Sequence, residues 1–289
     1  MRDHHSPIRV AFQRQGLRDF GYVEDNTIAI EYRWAEGHYE RLPELARELV
    51  RSKVDLILTH ATPGGLAAKQ ATSTIPIVVA LVGDPVAAGI VTNLARPGGN
   101  ITGQSFFNPE LRSKRIELLK DVRPGLSRVA VILSADNPAT KPEFQVMETT
   151  AQSLKVKLQP FHLRGPSEFV GAFEAMEQAH AEAVEIGDDP VSNSHLGTIA
   201  ALAMRGKLLS VGPIEFVQAG GLIGYGIDFA ATYRHAAVFV DKILKGAKPG
   251  DIPIEQASKF KFAVNLKTAN TLGVKISPDV LSLADEVIE

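Results

Sequence analysis

Residues 54–85 read VDLILTHATPGGLAAKQATSTIPIVVALVGDP, and the fold turns on how this stretch is parsed. An apolar run at 55–59 passes through a polar loop into an Ala- and Gly-rich helical stretch. A second apolar run at 77–81 and an acidic loop follow. Residues 181–216, AEAVEIGDDPVSNSHLGTIAALAMRGKLLSVGPIEF, repeat the same order later in the chain. After each copy comes a Gly-Gly pair and a further apolar run: PGGNITGQS at 97–105 and AGGLIGYGI at 219–227. Strand–helix–strand units in series build a mainly parallel sheet, whose strands are near-continuous Val/Ile/Leu runs because both faces are covered. The fold class is therefore α/β, and the duplication predicts two similar lobes.

Working outward, strands are expected at 28–34, 55–59, 77–81, 101–105, 129–133, 155–161, 183–186, 208–211 and 222–227. Helical spacing places Leu42, Leu45, Ala46, Leu49 and Val50 on one face opposite Glu and Arg. The same spacing recurs in Phe169, Phe173 and Met176, and in Tyr233, Ala237, Val240 and Leu244, where Gly246 and Pro249 close the helix. These stripes are core.

With 31 basic against 33 acidic residues the net charge is −2, which provides no polyanion-binding face, so nucleic acid is not an expected partner. The chain has no cysteine, which excludes disulfides, thiolate metal sites and cysteine nucleophiles. No apolar run approaches the roughly 20 residues a membrane helix needs. The opening MRDHHSPIRVAFQRQG lacks an apolar segment of secretory-signal length.

Sequence signatures of catalysis are missing. There is no GxxxxGK[ST] or GxSxG motif, and the Gly-Gly pairs enter strands instead of opening helices, so they read as turns and not as phosphate cradles. The eight histidines never fall into HExxH or another metal-ligand spacing. No catalytic residue, metal or cofactor is expected.

Ligands of open α/β sheets bind beyond the carboxyl ends of the strands. That rule selects Thr59 and Thr62, Gly83 and Asp84, Asn137, Asp188 and Asp189, and Glu215 as candidates. Thr59, Thr62 and helix N-terminal amides suit a carboxylate, and the acidic residues suit an ammonium group, which together describe a zwitterion such as an amino acid. Asp84 and Asp189 each precede proline and read equally as turn or helix caps, as does Thr62.

Four longer phrases carry a family resemblance: QGLRDFGYVEDNTIAIEYRWAEGHYERLPELARELV (15–50), TIPIVVALVGDPVAAGIVTNLARPGGNITG (74–103), LRSKRIELLKDVRPGLSRVAVI (111–132), and 215–273 from EFVQAGGLIGYGIDF to TANTLG. The chain resembles the substrate-binding proteins of bacterial ABC importers whose better-known relatives bind tryptophan or tyrosine. The resemblance implies a type I periplasmic-binding-protein fold, with lobes of residues 1–103 plus 230–255 and 107–226 plus 260–289. Crossing segments are expected near 103–106, 227–229 and 256–259. It further implies a small molecule captured between closing lobes, a membrane ABC permease as partner, a monomeric carrier, and a periplasmic or extracellular membrane-associated location. Carried over by position, it adds Gln104, Ser105 and Tyr225 to the ligand-binding set. Members usually begin with a signal peptide and a complete first strand. Here residues 8–12 are expected to form a shortened first strand, or else the N-terminus is truncated or misassigned.

Two other classes share this layout. A sensor domain for signalling or transcription has the same architecture, and so does an enzyme acting on a small carboxylate between two lobes.

Overall fold

The structure is a computed structural model that describes residues 7–106, 108–257 and 260–289. Along the chain its elements begin with α1 (Pro7–Asp19), α2 (Leu42–Arg51), β1 (Ile57–Thr59), α3 (Ala61–Ala71), β2 (Ile77–Val82) and β3 (Ile101–Ser105). Next come α4 (Asn108–Val122), β4 (Arg128–Ser134), α5 (Thr140–Ser153), β5 (Lys157–Leu163), α6 (Phe169–Gln178), β6 (Ala183–Ile186), α7 (Pro190–Asn193), α8 (Leu196–Arg205), β7 (Leu209–Gly212) and β8 (Ile223–Ile227). The chain ends with α9 (Phe229–Leu244), β9 (Glu255–Gln256), β10 (Phe260–Asn265), α10 (Leu266–Leu272), α11 (Pro278–Ser282) and β11 (Glu286–Ile288). Residues 1–107 with 228–258 form one compact unit, and residues 108–227 with 259–289 form a second.

The first unit holds a parallel four-stranded sheet in the order β1-β2-β3-β9. Strand β2 is buried along its whole length because its faces feed different cores. Ile77, Val79 and Val82 pack with Ile57, Ala68, Ile90 and Ile101, while Val78 packs with Leu17 of α1 and Ala237, Val240 and Ile243 of α9. Leu49 and Val50 turn the apolar side of α2 onto the first of these cores, and Glu44 pairs with Arg47 and Arg51 on its exposed side.

Between β2 and β3 the register shifts after Val79, marking a bulge. Gly103 sits there with φ +142°, and a β-carbon at that position would lie 2.0 Å from the Val79 carbonyl oxygen. Only glycine fits so close a backbone approach. The Gly98–Gly99 pair (φ +68° and +60°) and Gly220 (φ +100°) adopt the left-handed conformations of turns, as expected for both Gly-Gly pairs.

Two expected strands are corrected. Residues 28–34 form no strand, and Ile28 alone forms a bridge, to Glu24. A strand requires a neighbour's N–H and C=O groups, and no described strand pairs with this segment; side chains hold it instead, through Arg33–Glu48 and Arg14–Tyr32. Residues 8–12 belong to α1 and not to a first strand. The helical phase that sets Leu17 into the α9-side core, with Asp19 paired to Arg234, runs back through them.

The second unit holds a seven-stranded sheet in the order β11-β10-β8-β7-β6-β4-β5, parallel except for the β8–β10 pair. Strand β4 again separates two cores. Val129, Val131 and Leu133 meet Met147 and Ala151 of α5 on one face, and Ala130 and Ile132 meet Met176 of α6 and Ile199 and Ala203 of α8 on the other. Strands β9, β10 and β11 lie outside the expected set; two of them have only two or three residues, too short for a period to show.

Candidate functional site

In the second unit β4 and β6 are parallel neighbours. The helix after β4 lies on one face of the sheet, and the helix that carries the chain from β6 to β7 lies on the other. Adjacent strands whose following helices part to opposite faces leave a crevice at their carboxyl ends, the topological switch point at which open α/β sheets bind ligands. The loops that open there carry Asn137 after β4 and Asp188 and Asp189 after β6. The fold brings these sequence-predicted residues together.

Asn137 Nδ2 donates to Asp189 Oδ2 at 3.2 Å, and Asn137 Oδ1 accepts from Ala139 N at 3.1 Å. Asp189 is the N-cap of α7, with Oδ1 accepting from Val191 N at 3.0 Å, so the capping reading of this residue holds. The cap and the Asn137 bond use different oxygens, and the buried carboxylate is fixed in orientation.

Beneath this loop lies a charged network that sequence reasoning missed. Arg112 and Arg115 of α4 are 1% and 0% exposed. Arg112 donates through Nε to Glu185 Oε1 (3.0 Å), through Nη1 to Glu143 Oε2 (3.2 Å), through Nη2 to the Ile132 carbonyl (3.3 Å), and also through Nη2 to Glu185 Oε2. Arg115 donates through Nε to the Tyr225 carbonyl (2.8 Å), through Nη1 to the Ile186 carbonyl (3.0 Å) and Glu185 Oε1 (3.3 Å), and through Nη2 to Asp188 Oδ1 (3.0 Å). Its Nη1 also lies 2.7 Å from Asp188 Oδ2, off the hydrogen-bond direction, so that oxygen is held by charge. Burial works against the charge on Arg112, but Glu185, Glu143 and Asp188 outweigh it and raise its pKa above the usual guanidinium value. Gly187 makes room: a β-carbon there would stand 3.0 Å from Arg112 Cζ.

A signal for this network is present in the sequence. Glu185 interrupts the buried run Ala183-Val184-Glu185-Ile186, and a carboxylate in such a run requires a buried cation. Arg112 and Arg115, three apart on one helical face, supply two.

The remaining second-unit candidates are Tyr225 and Glu215. Tyr225 projects its ring toward the α4-side core and stacks on Phe260, with centroids 6.1 Å apart. Burial raises the pKa of this phenol, against the opposing effect of Lys114 and Arg115. Glu215 lies in a short 3-10 turn, Ile214–Phe216, and is half-buried.

In the first unit Thr59 ends β1 opposite Val79 of β2, and Ser105 ends β3 opposite Val82, the residue before Gly83. Thr62 lies within α3 and is buried; the helix begins at Ala61 with His60 as its N-cap, so Thr62 is not the cap. Ala61 itself has φ +59°, a left-handed conformation uncommon for a residue with a β-carbon. Asp84 spends Oδ1 on Val86 N (3.0 Å) and Ala87 N (2.9 Å), which is a turn cap. Gln104 spends both Nε2 protons on backbone, bonding the carbonyls of Ala80 (3.0 Å) and Thr232 (2.9 Å). Ser105 is buried, and its Oγ has no hydrogen-bond partner among the described residues. No group of three or more His, Asp or Glu side chains among the described residues is placed to hold a metal, and no helix of the described residues is long and apolar enough to cross a membrane.

Several classes of protein share this architecture, and comparison with known proteins gives the family. The chain belongs to the ABC transporter substrate binding protein family, which matches residues 8–288. It is 27% identical over 267 residues to a tyrosine-binding protein of Clostridioides difficile (strain R20291), covering 92% of this chain and 76% of that protein. It is similar to the structure of an ABC domain from Streptococcus pneumonia in complex with L-Trp, with a TM-score of 0.88, 26% identity, and coverage of 98% of this chain and 96% of that one. A conserved domain protein from Vibrio cholerae gives a TM-score of 0.90 at 26% identity, covering 97% of this chain and 95% of that one. The fold is that of the type I periplasmic binding proteins, and the family is a solute-binding one, not a class of enzymes.

Proposed function

We propose that this protein is the solute-binding component of an ABC importer, working on the periplasmic or extracellular side and delivering an aromatic amino acid to a membrane permease. The observation that carries the reading is its likeness, along almost all of the chain, to a tyrosine-binding protein and to an L-Trp complex. The loop ends support the same chemistry. In the second unit Asp189, oriented by Asn137, supplies the carboxylate that an α-ammonium group needs. In the first unit Thr59, Thr62 and the opening amides of α3 suit an α-carboxylate, which gains from the positive end of a helix dipole.

A thermal-shift screen of amino acids and small carboxylates tests this. A ligand at about 100 times its Kd adds roughly 2.7 kcal/mol to stability. L-Tyr or L-Trp is expected to give the shift, and Asp189→Ala to remove it. A clear shift with another solute class and none with aromatic amino acids would reject the ligand and leave the carrier function standing.

A further inference from the structure

The two consecutive aspartates after β6 have different surroundings, and the difference originates in α4. Asp189 has extended backbone, φ −103° and ψ 140°, a conformation that turns successive side chains to opposite sides. Asp188 goes to Arg115, with its two oxygens 3.0 and 2.7 Å from the guanidinium nitrogens, while Asp189 goes to Asn137 and the start of α7. Arg115 cannot follow Asp188 if the loop moves. Its other donors are committed to the carbonyls of Ile186 and Tyr225 and to Glu185, and it is fully buried. Glu185 is in turn held by Arg112, which also grips Glu143 of α5 and the Ile132 carbonyl of β4. One helix therefore anchors the strands on both sides of the crevice and the loop that follows β6.

We propose that Arg115 is a positioning residue for ligand recognition: by holding Asp188 it fixes residues 187–189 so that Asp189, and not Asp188, meets Asn137 and faces the ligand's cationic group. The proposal rests on the reading above that the second unit takes an α-ammonium group. Arginine is required because a planar fork reaches two carbonyls and two carboxylates at once, and lysine offers a single nitrogen.

The test uses the full chain and calorimetric titration with L-Trp and with indole-3-propionate, which lacks the amino group. Arg115→Lys is expected to weaken L-Trp by about tenfold or more while changing indole-3-propionate by less than about twofold, the scale set by a hydrogen bond to a charged group. Asp188→Asn keeps an acceptor for Arg115 and is expected to cost far less L-Trp affinity than Asp189→Asn. Equal losses for both ligands in Arg115→Lys, or equal losses in the two aspartate variants, would overturn the proposal. A readout that needs no ligand separates it from the ligand assignment. The Asn137 side-chain amide resonances report its bond to Asp189 and are expected to move in Arg115→Lys, or in Asp188→Ala, which removes the acceptor, if the former fails to fold, but not in Arg128→Lys. Unmoved resonances would overturn the positioning role. Moved resonances in a protein that binds no aromatic amino acid would retain that role and reject only the ligand.

Discussion

Ala61 holds a left-handed backbone at the first residue of α3, next to the Thr59 and Thr62 hydroxyls. Such a conformation costs a residue with a β-carbon about 1–2 kcal/mol, and strain of this kind collects where a binding site fixes the chain. Ala61→Val adds a branched β-carbon to that position and is expected to lower stability by about 1–2 kcal/mol, while Ala61→Gly stays within about 0.5 kcal/mol of the parent, both read by urea denaturation. Glu182 offers a titration test. Burial opposes its charge, but hydrogen bonds from Ser127 Oγ (2.7 Å) and Ser127 N (3.1 Å), together with Arg128, outweigh burial and lower its pKa. A carboxyl lowered in the folded state stabilises at neutral pH, and the contribution is lost as pH falls through the folded pKa. Glu182→Gln is expected to cost about 1 kcal/mol near neutrality and progressively less in acid, checked by denaturation curves across that range.

At the scale of elements, the bulge that Gly103 permits between β2 and β3 leaves the Ala80 carbonyl to be satisfied by a side chain, and Gln104 does this while also bonding Thr232 at the start of α9. Gln104→Leu removes the side-chain donor to the Ala80 and Thr232 carbonyls in a buried position and is expected to lower stability by about 1–3 kcal/mol in thermal or urea unfolding. The cost is expected with or without ligand, which separates a structural Gln104 from one that contacts solute. Strands with strong apolar runs were legible in the sequence: 77–81 and 129–133 fall within β2 and β4, and 101–105 coincides with β3. The segment 28–34 alternates apolar or aromatic with charged residues over 30–34 and misled, because period alone does not supply a ladder partner. At the site, spacing placed Asn137 and Asp189 at strand ends, and topology then joined them. The Arg112–Glu185–Arg115 network was written in the sequence as a single charge inside a buried strand, but its partners lie about 70 residues away on α4, a distance that local pattern does not span. Ala61 carried no signal, since nothing in its side chain marks a left-handed backbone.

For the whole molecule, the duplicated strand–helix–strand pattern yields two compact units with unlike sheets, of four and seven strands. Binding of a ligand to the native state alone makes the melting temperature of the chain depend on ligand concentration. Raising L-Trp or L-Tyr from equal to its Kd to about 100 times that value is expected to raise the melting temperature steadily, and a plateau would show that the native state is not the species being stabilised. The segment 28–34 has a kinetic consequence of its own. Among the described residues, the N–H groups of residues 29–33 have no backbone carbonyl to bond, whereas every residue of β2 is buried in a two-sided sheet. Amides protected only by side-chain anchors open without breaking a ladder. In heavy water residues 29–33 are expected to exchange within the earliest time points and β2 only with global unfolding, so this stretch is also the place where a protease gains entry to an otherwise native chain.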